Sequence, residues 1–135
     1  MCDLSIGDTG LEELMHIAKE AREHAYAPYS KYKVGAALLT DDGRIYTGAN
    51  MENATYGATI CAERVAIYKA IYDGARNIEA VAIAGNEPDT VPCGICLQVM
   101  IEFLDGKSTI ICTEGEDGKI IQYTLDKLLP HAFRL

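Results

Sequence analysis

No residue from Val34 to Leu39 carries a polar side chain, and a run of that length and composition is stable only as a strand with neighbours on both of its faces. Asp41-Asp42-Gly43 then turns the chain into a second strand at Arg44 to Gly48, which predicts a β-hairpin with a buried first strand. Ile78 to Ala84 reads as another buried strand, and Ser108 to Thr113 and Lys119 to Tyr123 as two more, joined by the turn Glu116-Asp117-Gly118. Helical periodicity fills the intervals. It runs from Leu11 to about Tyr26 through Leu14, Met15, Ile17, Ala18 and Ala21, and from Ile60 to about Asp73 through Ala62, Ala66, Ile67 and Ala70, closed by Gly74. Cys93 to Leu104 is a third helix and Leu125 to about Leu129 a short fourth. The order αββαβαββα predicts an α/β fold in which a mixed five-stranded sheet is covered by helices on both faces.

A chain of 135 residues, 49% apolar and 24% charged, suits one soluble domain spanning residues 1–135. Its net charge of −8 disfavours nucleic acid as a partner, since the strongest basic cluster is Ser30-Lys31-Tyr32-Lys33. The start MCDLSIGDTG lacks a basic and then apolar leader, and no stretch approaches the roughly 18 apolar residues of a membrane span, so a cytoplasmic protein without membrane contact is expected. Five cysteines, an odd number in a domain with an adequate core, predict reduced thiols rather than a disulfide scaffold. His16 and His24 have no partner ligand at helical spacing and are assigned no chemistry.

The thiols carry the chemistry. In VPCGICLQ, Cys93 and Cys96 open a helix, where unpaired N–H groups and the helix dipole are expected to lower both thiol pKa values. Spaced three apart, they face the same way and could chelate one ion or form a redox dithiol. Cys61 opens another helix in TICAER, and a redox pair needs no such partner. If the two helix starts lie side by side, Cys61, Cys93 and Cys96 supply three soft ligands to a tetrahedral zinc whose fourth corner stays open to water. Glu63, two residues beyond Cys61, then points elsewhere and is placed as a general base beside that water.

CAE followed about thirty residues later by PCxxC resembles the zinc nucleoside and nucleobase deaminase signature, with Cys61 where many relatives carry His. In order, APYSKYKVGAALL, NMENATYG, CAER, PCGIC and LLPHAF resemble the small homotetrameric cytidine deaminases over almost the whole chain. The resemblance implies a three-layer α/β/α cytidine deaminase-like fold, a zinc cofactor, a nucleoside substrate and a role in pyrimidine salvage. It implies that Asn50 and Glu52 bind ribose hydroxyls, which suits a carboxylate acceptor and an amide that donates and accepts. It also implies that Tyr32 lies near the base where the family commonly has Phe, that Ala54 offers a backbone group to the pyrimidine, and that Tyr56 lines the pocket. Phe133 matches the aromatic of an ending similar to a lid laid over a neighbouring subunit's base; its other reading is a staple into its own core. Arg64 matches one of two cations that compensate the thiolates, and Leu97 stands where the second is usual. Cys112 reads as a buried apolar residue, and Cys2 has no assigned role.

The reaction so implied is hydrolytic deamination of cytidine and deoxycytidine, with Glu63 moving protons between water, N3 and the leaving amine. The rival readings are a deaminase of a modified nucleoside and a CxxC redox or structural-zinc protein. The structural-zinc reading would require His24, His131 or Cys112 as a fourth ligand beside the three thiols.

Overall fold

The computed structural model describes residues 8–135; Cys2 lies outside them. Helix α1 (Asp8–Arg22) buries Leu11, Leu14, Met15, Ala18 and Ala21, one stripe at helical spacing. That stripe covers the sheet face formed by Ala37, Leu39, Ala80, Ala82, Ala84 and Cys112. The helix stops at Arg22, short of the expected Tyr26, because the next amides, Glu23 to Ala25, bond three residues back. Tyr26 is then captured: its N–H donates to the Asn50 carbonyl at 2.9 Å and its carbonyl accepts from the Glu52 N–H at 2.8 Å. The first loop is thereby tied to the segment carrying Asn50 and Glu52.

Strands β1 (Gly35–Thr40) and β2 (Ile45–Ala49) form the expected hairpin, with Gly43 at φ 85° in its turn. All residues of β1 are buried, as its uninterrupted apolar run requires, because β1 pairs with β2 on one side and with β3 (Ile78–Ala84) on the other. Strand β4 (Ile110–Glu114) runs parallel to β3, and β5 (Ile120–Thr124) antiparallel to β4, giving the order β2-β1-β3-β4-β5. The parallel pair makes the sheet mixed and is joined through helix α3 (Gly94–Phe103), a helical crossover.

Helix α2 (Ala62–Tyr72) and α3 cover the second face, where Ala36, Leu38, Val81, Ile83 and Ile111 pack against Ala66, Ile67, Ala70, Met100 and Ile101. The short helix α4 (Leu125–Leu128) adds Leu125 to the same cluster. Side chains alternate between the two clusters along β1 and β3, so a single sheet separates helix α1 from the others, a three-layer α/β/α arrangement. Gly48 brings α2 close to the sheet, since a Cβ there would collide with the Ala62 carbonyl and come within 2.7 Å of the Ala66 nitrogen. This close seating at the first turn of α2 fixes where its N-terminal residues, Cys61 among them, project.

Candidate active site and metal centre

Helices α2 and α3 both begin with a cysteine at the N-cap. Cys61 has φ −78° and ψ 156°, and Cys93 has φ −72° and ψ 169°. Neither sulfur caps its helix, so both side chains are free to turn toward one another. The two helices lie on the same face of the sheet, and their starts meet: Cys61 Sγ is 3.7 Å from Cys93 Sγ, and Cys93 Sγ is 3.5 Å from Cys96 Sγ. All three sulfurs lie within 4.8 Å of one another. Thiolates bound to a tetrahedral zinc at about 2.3 Å sit about 3.7 Å apart, so the arrangement fits that ion. Among the described residues, the group able to hold a metal consists of these three thiols, without the histidine or the fourth cysteine that a closed structural site would need.

Without metal, Cys96 departs from the expectation drawn from the helix start of α3. In the metal-free chain Cys61 is lowered to about 5, chiefly by its contact with the Cys96 thiol and further by the Arg64 guanidinium. In the same metal-free chain Cys96 moves the other way, raised by the same contact with Cys61 and by its burial. The helix N-terminus that both CxxC thiols share is thus outweighed at Cys96 by the neighbouring sulfur, a long-range effect that the CxxC spacing does not encode. Cys112, fully buried in β4, is pushed up to about 12 by desolvation, as suits an apolar role.

Arg64 Nη2 lies 3.5 Å from Cys61 Sγ and 3.5 Å from the Thr59 carbonyl, while its Nε is buried without a partner among the described residues. This side chain is a cation beside the sulfur cluster. Leu97, by contrast, is 8% exposed and belongs to the apolar cluster with Met100 and Ile101. The position follows Cys93 by one helical turn, but its side chain packs into the core, and an arginine there would have to displace core contacts before reaching a sulfur.

Glu63, in the first turn of α2, is 4% exposed. Burial pushes its carboxyl up to about 7, and the negative charge on Cys61 adds to the rise. With the folded pKa raised, protonated Glu63 favours the metal-free fold fully below the ordinary value of 4.5, and that contribution is lost as pH rises through about 7. Metal-free Glu63→Gln, which stays neutral, is therefore expected to match the metal-free parent below pH 4.5. Near pH 8 it should exceed the parent's stability by at most about 3 kcal/mol. Urea unfolding of both proteins in chelator at the two pH values checks this.

The residues matched to nucleoside binding are brought to one edge. Asn50 Oδ1 accepts from the Val34 N–H at 2.9 Å, and its Nδ2 donates to the Tyr32 carbonyl at 2.8 Å. Glu52 Oε1 accepts from the N–H groups of Tyr29 and Ser30, and Oε2 accepts from the Ser30 hydroxyl. These bonds, led by the one from the Ser30 hydroxyl, hold the Glu52 carboxyl below the usual carboxylate range. Both side chains thus brace the loop from Tyr29 to Val34 and keep a second lone pair or proton for a ligand. The bond from Ser30 to Glu52 was not foreseen, since the only sequence signal was a small hydroxyl in a turn and its partner lies 22 residues away.

Ala54 is exposed, and Tyr56, in the short 3-10 turn Tyr56–Ala58, is 82% exposed. Phe133 is 66% exposed, with its carbonyl held by Gln98 Nε2 at 3.0 Å, so it is not a staple into the core of its own chain. These residues are open to solvent, unlike Glu63 and Cys96.

Comparison with known proteins accords with this geometry. The family model for the cytidine and deoxycytidylate deaminase zinc-binding region matches residues 8–113. A cytidine deaminase of Sporosarcina psychrophila is 49% identical over 124 residues, 91% of this chain and 90% of the relative. One from Halalkalibacterium halodurans is 46% identical over 121 residues, 89% of this chain and 91% of the relative. The crystal structure of cytidine deaminase from Burkholderia pseudomallei superposes with a TM-score of 0.82 at 44% identity, covering 90% of this chain and 97% of the other. With three thiols clustered at two helix starts and a family match over residues 8–113, the chain belongs to the cytidine and deoxycytidylate deaminase zinc-binding family.

Proposed function

We propose that the chain is a zinc-dependent hydrolase that deaminates cytidine and deoxycytidine to uridine and deoxyuridine with release of ammonia. Cys61, Cys93 and Cys96 would hold the zinc, and their spacing is the observation that carries the reading. Bound there, zinc supplies the Lewis acidity that makes water a nucleophile at neutral pH.

Glu63 performs the proton transfers. Its pKa near neutrality in the metal-free chain marks a carboxyl that burial has made readier to take up a proton. It accepts a proton from the attacking water as the oxygen bonds to C4, and passes it to N3 of the pyrimidine. It then moves the second proton of that oxygen to the exocyclic amine; the C4–N bond breaks, ammonia leaves, and the C4 carbonyl forms. Arg64 adds to the stabilisation of the Cys61 thiolate and offsets part of the charge of the sulfur cluster. Asn50 and Glu52 take the ribose hydroxyls, and the Glu52 carboxylate would repel a phosphate in the same place. Tyr32, Ala54 and Tyr56 border the base.

The same reading makes residues 1–135 one domain of a cytoplasmic homotetramer in pyrimidine salvage. The exposure of Phe133 supports a shared site, since an aromatic left in water on one chain is accounted for when it closes over a neighbour's base. Removal of residues from Phe133 onward is expected to raise KM for cytidine several-fold while leaving the melting temperature of the fold nearly unchanged. Steady-state kinetics and calorimetry measure the two effects, and an active monomer in sedimentation at assay concentration would remove the shared site. The activity itself is tested by ammonia release from cytosine, cytidine, deoxycytidine, cytidine monophosphate and adenosine. Release from the two nucleosides of cytosine is expected, and release from adenosine alone would overturn the assignment.

A further inference from the structure

The Tyr32 hydroxyl lies 2.9 Å from Thr90 Oγ1, and the two residues are 58 apart in sequence. Thr90 Oγ1 also lies 2.8 Å from the Glu87 carbonyl, which can only accept, so the single Thr90 proton is committed there. The Tyr32 hydroxyl must therefore donate to Thr90, and its oxygen accepts the Glu87 N–H at 3.3 Å. The result is a closed ring in which Glu87 N–H, Tyr32 O–H and Thr90 O–H donate in one direction and end on the Glu87 carbonyl. Bonds so arranged polarise one another. The ring is closely backed, because a Cβ on Gly85 would collide with Thr90 Oγ1 and come within 2.8 Å of the Tyr32 oxygen. Asn86 Nδ2 adds a bond to the carbonyl of Lys31, a residue held at φ 63°.

The two sides that this ring joins are the two halves of the site. On one side, the Tyr32 carbonyl is held by Asn50 Nδ2, and its N–H donates to Ser30 Oγ, itself bonded to Glu52. On the other, Thr90 stands three residues before Cys93, the N-cap of α3. A phenylalanine at position 32 would fill the same space and leave the ring open.

We infer that the Tyr32 and Thr90 hydroxyls form a latch that sets the nucleoside-binding edge against the thiol-bearing start of α3, so that Tyr32 is a positioning residue acting through Thr90. This inference rests on the proposed deaminase site. Breaking the latch lets nucleoside bind, because Asn50 and Glu52 keep their own partners, but holds it less well aligned with the metal side.

The test uses zinc-loaded full-length Tyr32→Phe, Thr90→Val, the double variant and Thr90→Ser, read by zinc release to a chromogenic chelator and by kcat and KM for cytidine. Each single variant is expected to speed zinc release and lower kcat by about fivefold, the size of one interior hydrogen bond, with KM nearly unchanged. The double variant should lose less than the sum of the two single losses, since both break the bond between Tyr32 and Thr90, and Thr90→Ser should behave as the parent. Lowered melting temperatures with parental zinc release and kcat would overturn the latch, as would additive effects in the double variant. Chelator release is read without substrate, so failure of the deaminase reading would leave this measurement standing on its own.

Discussion

Glu63→Gln is expected to retain zinc and fold while losing several orders of magnitude in turnover. Glutamine keeps the size and much of the hydrogen bonding of the buried side chain, and avoids the cost of ionising a group that is 4% exposed. What it removes is the capacity to take up and give back a proton, and general acid-base catalysis alone contributes roughly 10²–10⁴ in rate. Because one carboxyl is proposed to serve both proton transfers, its loss should exceed that of a single transfer. Zinc content, circular dichroism and the rate of ammonia release from cytidine measure the three quantities. Turnover within tenfold of the parent in a folded, zinc-loaded variant would remove Glu63 from its role.

Cys61→Ala is expected to lose zinc and activity together. It leaves only the two sulfurs of α3, and zinc held by two thiolates is far less firmly bound than by three. It also strips Arg64 of the sulfur 3.5 Å from its Nη2, adding an unpaired cation to a side chain whose Nε already lacks a partner. Metal analysis after gel filtration should find the variant nearly free of zinc, whereas Cys61→His, which restores one ligand, should recover much of it. Full zinc occupancy with activity in Cys61→Ala would sink the three-thiol site.

Local patterns foretold the architecture because its elements satisfy themselves locally. The apolar run of β1, the helical spacing of Leu11, Leu14, Met15 and Ala18, and the glycines at Gly43, Gly74 and Gly118 with positive φ each state a conformation within a few residues. The end of α1 was misplaced for the opposite reason. Pro28 stops a helix from running on past about Tyr26 but does not make it end at Arg22; the Tyr26 backbone is taken by Asn50 and Glu52, whose approach depends on the hairpin.

The thiols divide in the same way. Their residue types and helix-start positions were legible, whereas the contrast between an acidic Cys61 and a protonated Cys96 arises only when sulfurs from two helices meet. Leu97 shows the limit of spacing arguments: one helical turn from Cys93 in sequence, it is directed into the core by the face that α3 buries. The exposure of Phe133 excludes a staple into the core of its own chain, which LLPHAF could not do.

The most direct test strips the protein of metal with a chelator, returns zinc in measured fractions, and follows ammonia release from cytidine. Activity should be absent without zinc, rise in proportion to zinc added, and reach a plateau at about one equivalent per chain, as a single three-thiol site requires. Deamination by the metal-free protein, or none from cytidine at one bound equivalent, would contradict a zinc held by Cys61, Cys93 and Cys96 as the centre of the reaction.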